Sequence, residues 1–156
     1  MKKIYWALIL CLLLAGCQDD NSGLTAMPHQ EIHNTYTNRR VLILTKKSDY
    51  ILNFLEQLKN RAGRYYSVTI DDLNNIKEYN FAYYNGVLII EFLQDGSAPV
   101  LDDYMELYSG INNIVLFGLN DNYISPYPIS VVTANTTNTD NLPNTVERIY
   151  DYLRSK

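Results

Sequence analysis

The sequence predicts a three-layer α/β protein built on a mainly parallel, five-stranded sheet of order 2-1-3-4-5. Three observations lead there. Val41–Leu44, Val87–Phe92 and Ile114–Phe117 contain apolar runs without the alternation that a half-wet strand shows, so they read as strands covered on both faces. Amphipathic helical patterns alternate with them, which points to crossover connections and parallel pairing. Two further strand patterns, Tyr66–Ile70 and Ile129–Thr133, mix polar with apolar residues and read as the two edges.

The elements follow in order. Ser48 or Asp49 starts a first helix, since either side-chain oxygen accepts from free backbone N–H groups. Tyr50, Ile51, Phe54, Leu55 and Leu58 fall on one face of it, and Gly63 closes it. Asp71-Asp72 leads into a short helix around Leu73–Tyr79. The run Val87–Phe92 is the central strand, and Ile89 is its deepest position. The polar turn Leu93–Ala98 follows at its carboxyl end, where open parallel sheets place ligands. Pro99 opens a helix with Leu101, Tyr104, Met105 and Tyr108 inward. Gly118 to Ile129 leaves little room for a crossover helix: that crossover is a bare loop, or strand five pairs differently. Asn141 and Pro143 open the last helix, with Val146, Ile149, Tyr150 and Leu153 inward.

The N-terminus carries the clearest signal. Met1-Lys2-Lys3 is followed by the apolar stretch Ile4–Leu14 and then Ala15-Gly16-Cys17. A basic start, a short apolar stretch and small residues describe a secretory signal peptide; a membrane span needs about 20 apolar residues. Leu14-Ala15-Gly16-Cys17 closely resembles the bacterial lipoprotein signal. That resemblance implies removal of residues 1–16 and acylation of Cys17. It also implies attachment to the membrane through the acyl chains, two or more of which are needed for stable anchoring. Gln18 after Cys17 favours the outer membrane, facing the periplasm, in a Gram-negative cell envelope.

Several classes of function are then excluded. The mature chain of 140 residues (156 less 16) supports one domain with a core. Without Lys2 and Lys3 it carries 11 basic and 17 acidic residues, a net charge of −6, which argues against nucleic acid or an anionic lipid surface as a partner. Cys11 leaves with the signal and Cys17 carries lipid, so no disulfide, thiol nucleophile or CxxC pair remains. Residues 17–38 comprise Cys17 and a polar stretch, Gln18–Asn38, that reads as a flexible tether spanning roughly 25 Å; residues 39–156 form the domain. His29 and His33 lie in that tether at helical spacing for a shared metal, but two solvated histidines is the simpler reading. After Asn34 there is no His, which removes the commonest general base and any Ser-His-Asp triad.

From Arg40 to Leu153 the chain resembles flavodoxin-like domains, nearest the small flavodoxin-like activator of ribonucleotide reductase. Three loops carry the likeness: Thr45-Lys46-Lys47-Ser48-Asp49, Phe92-Leu93-Gln94-Asp95-Gly96 and Gly118-Leu119-Asn120-Asp121-Asn122-Tyr123. The resemblance implies that the first holds a phosphate and the other two flank the ring of FMN. Thr45, Lys46, Lys47, Ser48, Phe92, Asp95, Gly96, Asn120 and Tyr123 are then the cofactor-binding set, with Tyr123 the stacking residue. The family's phosphate loop, Ser/Thr-x-Thr-Gly-Asn, carries a Gly where this chain has Asp49. Gly lets the backbone wrap an anion, whereas a carboxylate repels it.

The remaining candidates have bland explanations. Asp71-Asp72 and Asp102-Asp103 are paired acids suited to capping helix starts. Glu91 and Asp95 near the cleft are candidate acid–base groups, read here as solvated acids. The 14 Tyr suit either a contact surface or packing of helices on the sheet with the hydroxyl in water. Ser125-Pro126-Tyr127-Pro128 is a stiff loop near the cleft. The expected function is therefore a non-enzymatic binding or assembly module without cofactor or metal, serving a protein partner in the envelope. The alternative is an FMN-binding electron-transfer protein.

Overall fold

The computed structural model describes residues 23–108 and 110–156. The expected signal segment, residues 1–16, and Cys17 lie outside the described residues. Seven strands form one sheet: β1 (Thr25–Ala26), β2 (Gln30–Ile32), β3 (Arg40–Lys47), β4 (Ser67–Asp72), β5 (Gly86–Phe92), β6 (Ile114–Leu119) and β7 (Ser130–Ala134). Its helices are α1 (Asp49–Ala62), α2 (Pro99–Leu107) and α3 (Leu142–Arg154).

The five expected strands are β3 to β7, and they pair in parallel in the spatial order β4-β3-β5-β6-β7. This is the 2-1-3-4-5 order of a flavodoxin-like three-layer sandwich. Central burial follows the apolar runs. Val41–Leu44, Val87–Ile90 and Ile114–Phe117 are all buried, because helices or turns cover both faces of each strand.

The two layers that cover the sheet differ. Ile51, Phe54, Leu55 and Leu58 of α1 and Val146, Ile149 and Leu153 of α3 pack on one face with Val41, Ile43, Leu88 and Phe117. The Arg61 guanidinium pairs with Glu147 between those helices. On the other face, α2 covers Ile89 and Leu116. Beside it, where a helix was expected around Leu73–Tyr79, the chain makes two 3-10 segments, Leu73–Glu78 and Phe81–Tyr83. The Asp72 side chain starts the first and the Asn80 side chain the second, each accepting from a backbone N–H two residues on. These restarts break the 3.6-residue register and keep the crossover short.

The connection from β6 to β7 carries no helix, and β7 still pairs in parallel with β6. Of the two open alternatives, the bare loop is the one observed. The tether needs correction. Residues Thr25–Ile32 do not hang free: β1 pairs antiparallel with the end of β3 and β2 pairs antiparallel with β4. The sheet is thus a parallel five-stranded core with two short antiparallel additions. The strand expected as a wet edge, β4, is covered by β2, and its Thr69 and Asp71 are buried.

Ile89 is fully buried at the centre of β5. Ile89→Ala is expected to cost roughly 2–5 kcal/mol through lost transfer energy and a residual cavity. Urea melts of the domain measure it; a loss under about half a kcal/mol would contradict a central β5.

Candidate functional site

The carboxyl edge of the sheet collects the loops after β3, β5, β6 and β7, and with them most of the predicted site residues. Ser48 caps α1, its hydroxyl accepting from the Ile51 N–H at 3.3 Å, and Asp49 is the first helical residue. Thr45 is buried and donates to the Lys46 carbonyl. Lys46 does not face a free anion site: its Nζ lies 2.7 Å from Asp72 Oδ1. Asp72 also accepts from the Met27 N–H at 2.8 Å and the Asn74 N–H at 3.0 Å. Burial raises this carboxyl, but Lys46 and the two amides outweigh burial and hold it below the usual carboxylate range.

That knot fastens β1 along Lys46–Lys47 and carries Gly23 and Leu24 into the cleft. They line a concavity of about 330 Å³ with Ser48, Tyr50, Phe92, Asn120 and Thr136. The buried Tyr50 hydroxyl has no hydrogen-bond partner there.

The other two loops are tied to each other. Asp95 (φ 50°) and Gly96 (φ 75°) form a left-handed turn after β5. The Gly96 N–H donates to Asp121 at 2.8 Å. Asn120 is also left-handed (φ 68°), and its side-chain oxygen accepts from both the N–H and the hydroxyl of Thr136 at 2.9 Å. Phe92 is half-buried beside them. Gly118 belongs to β6, not to the loop. A Cβ there would lie 2.6 Å from a Leu93 methyl, so the bare backbone is what lets Leu93 pack over the strand.

Tyr123 departs from its expected role. Its ring is buried on the α2 side of the sheet, and its hydroxyl donates to Asp102 Oδ1 at 2.6 Å. Burial, with that carboxylate, raises the phenol above its ordinary range. The geometry turns the ring into packing and leaves no exposed face for stacking.

Glu91 corrects another expectation. It is no solvated acid: it points to the α2 side and is 4 % exposed. Ala98 precedes α2 and offers no side-chain oxygen for a cap. Glu91 supplies it from the neighbouring strand, accepting from the Val100 N–H at 2.7 Å and the Leu101 N–H at 3.2 Å. Burial pushes its carboxyl up, the two amides pull it down, Asp102 and Asp103 push it up again, and it settles at about 7. The one sequence signal was a charged residue inside an apolar run, a position that needs a buried partner. Asp102 completes the cap, accepting from the Ala98 N–H at 3.0 Å.

The histidines are also placed differently. His29 and His33 flank β2 in extended backbone, where four residues span roughly 13 Å, so they do not share a metal. Among the described residues no group of His, Cys, Asp or Glu is arranged to hold one. His29 instead sits 3.4 Å from both Glu31 and Asp71. Asp71 accepts from the Tyr79 hydroxyl at 2.5 Å and the Asp72 N–H at 2.7 Å.

A second concavity lies near the opposite, amino edge. It measures about 540 Å³ and is lined by Glu31, His33, Arg40, Thr69, Tyr83 and Tyr84 among others. Tyr83, at the end of the second 3-10 segment, lines it and is 73 % exposed. Sequence reasoning missed this groove because it required β2 to be a strand.

No family model matches this sequence, and no curated protein does. Among solved structures the chain is similar to the Francisella novicida lysine decarboxylase LdcF, with a TM-score of 0.46 and 14 % identity. That match covers 76 % of this chain and only 17 % of the decarboxylase. It is also similar to Smu.1420 from Streptococcus mutans UA159, with a TM-score of 0.45 and 8 % identity over 76 % of this chain and all of that one.

A carboxyl whose folded pKa is raised contributes stability that is present below its unfolded pKa and is lost as pH rises through the folded value. Between pH 5 and pH 8, Glu91 is therefore expected to remove on the order of 3 kcal/mol of stability. Glu91→Gln should flatten that dependence. Urea melts of both proteins at the two pH values measure it; equal pH dependence in the two would contradict a buried, neutral Glu91.

Proposed function

We propose that the chain is a bacterial envelope lipoprotein, acylated at Cys17 and held at the periplasmic face of the outer membrane. Its flavodoxin-like domain serves there as a non-enzymatic binding or assembly module for a protein partner. The observation that carries the non-enzymatic half is the occupation of the carboxyl edge by the chain's own N-terminal segment. Lys46 is neutralised by Asp72, Gly23 and Leu24 border the concavity beside Ser48, and Tyr123 is spent in packing. Asp95 and Asp121 add negative charge to the two loops that would flank a flavin ring, on the side of the cleft an anionic cofactor would enter. The amino-edge groove is larger than the carboxyl-edge concavity. Its polar groups of both signs and its exposed Tyr83 match the chemistry of protein contacts, where Tyr is enriched and polar rims are usual. The anchoring half rests on Leu14–Cys17.

FMN binding remains the second reading. It is favoured by one feature, the unpartnered Tyr50 hydroxyl at the carboxyl-edge concavity.

Two measurements test the proposal. Growth with a fatty-acid analogue is expected to label the wild type and not the Cys17→Ser variant, which should accumulate as precursor; label retained on that variant would refute acylation at Cys17. Fluorescence titration with FMN is expected to show no binding by the wild type. Micromolar or tighter binding would replace the module reading with the flavin one. Absence of binding even by Asp49→Gly, which removes a charge and frees the backbone around an anion, would retire the flavin reading.

A further inference from the structure

We infer that the carboxyl edge of the sheet is the surface this domain turns toward the bilayer, leaving the amino-edge groove pointing into the periplasm. The inference rests on the lipoprotein reading proposed above and adds an orientation to it.

The argument starts from where the chain leaves the domain. Thr25 pairs with Lys47 and Ala26 with Lys46, antiparallel. Chain upstream of Thr25 therefore runs outward past the carboxyl end of β3. Gly23 and Leu24 line one concavity with Ser48, Phe92, Asn120 and Thr136, residues of the loops that make that edge. The exit point is fixed by backbone pairing and by the Asp72 carboxylate on the Met27 N–H.

Length does the rest. From Cys17 to Gly23 there are six Cα–Cα steps, at most roughly 22 Å fully extended and about 13 Å as a random coil. The eight residues of β3 alone are about 27 Å long, and a domain of this size has a radius of gyration near 14 Å. The link is therefore shorter than the body it holds. The amino edge cannot swing down to the membrane without carrying Gly23 out of reach of the anchor.

The loop after β6 offers an apolar side chain to such a neighbour. Ile124, directly after the buried Tyr123, is 93 % exposed. Asp95 and Asp121 on the same edge do not favour anionic headgroups, so the tether sets the orientation and charge does not. The lipid surface that fits is zwitterionic.

The acylated full chain has no free thiol, so single cysteines report position. Asn122→Cys on the carboxyl edge and Asn112→Cys on the amino side, both exposed positions, are labelled with a fluorophore. Each is then placed in phosphatidylcholine vesicles that contain headgroup-nitroxide lipid. The Asn122→Cys probe is expected to be quenched several-fold more than the Asn112→Cys probe. Inserting 20 Gly/Ser residues between Asn21 and Ser22 should abolish that difference and leave the melting temperature unchanged. Equal quenching of the two original probes on vesicle-bound protein, or stronger quenching of Asn112→Cys, would overturn the orientation while leaving the anchor intact. Failure of the purified chain to carry lipid or to bind vesicles would remove the anchor reading, and the orientation with it.

Discussion

The structure depends on one unmet backbone demand. β3 is the longest strand, and its pairing to β4 ends at Thr45 and to β5 at Leu44. Lys46 and Lys47 continue in extended conformation with no neighbour from the parallel core. Their amides and carbonyls need partners, and β1 supplies them. Asp72 sits where β4 stops and gathers a lysine ammonium and two backbone N–H groups around one carboxylate. The position of the N-terminal segment and the neutralisation of Lys46 follow from that overhang.

A similar logic runs through the other acids. Glu91 caps a helix that lacks a cap of its own. Asp102 caps the same helix and holds the Tyr123 hydroxyl. Asp121 holds the turn after β5. Glu91, Asp102 and Asp121 are each committed to backbone donors of a neighbouring segment. The result is a rigid edge whose hydrogen-bonding capacity is largely turned inward.

The strand order was legible because burial on both faces leaves an unbroken apolar run, as in Val41–Leu44, Val87–Ile90 and Ile114–Phe117. β1 and β2 were not legible. Two or three residues such as Gln30-Glu31-Ile32 are too short for any period to show, and what makes them strands is the edge they meet, which for β1 is Lys46–Lys47 and for β2 is Val68–Ile70, far downstream in sequence. Tyr123 was misjudged for a related reason: its place in a loop was readable, but the Asp102 carboxylate that draws it inward was not. The 3-10 crossover escaped because Asp72 and Asn80 each look like a helix start, and only two caps so close together reveal that neither helix runs on. The cysteine proposed above as the acylation site is different in kind, since its signal is a local motif and needs no tertiary context.

The 45-residue separation between the Met27 amide and its Asp72 acceptor also sets an order of events. A chain crossing a membrane amino end first presents residues 17–30 long before β4 has emerged. The strap cannot close during that interval, because the carboxylate that fastens it is still on the other side. Under the acylation proposed above, an acyltransferase would meet Cys17 on an unfastened chain, and domain closure would come after modification. Folding would then shorten the leash only once the lipid is in place.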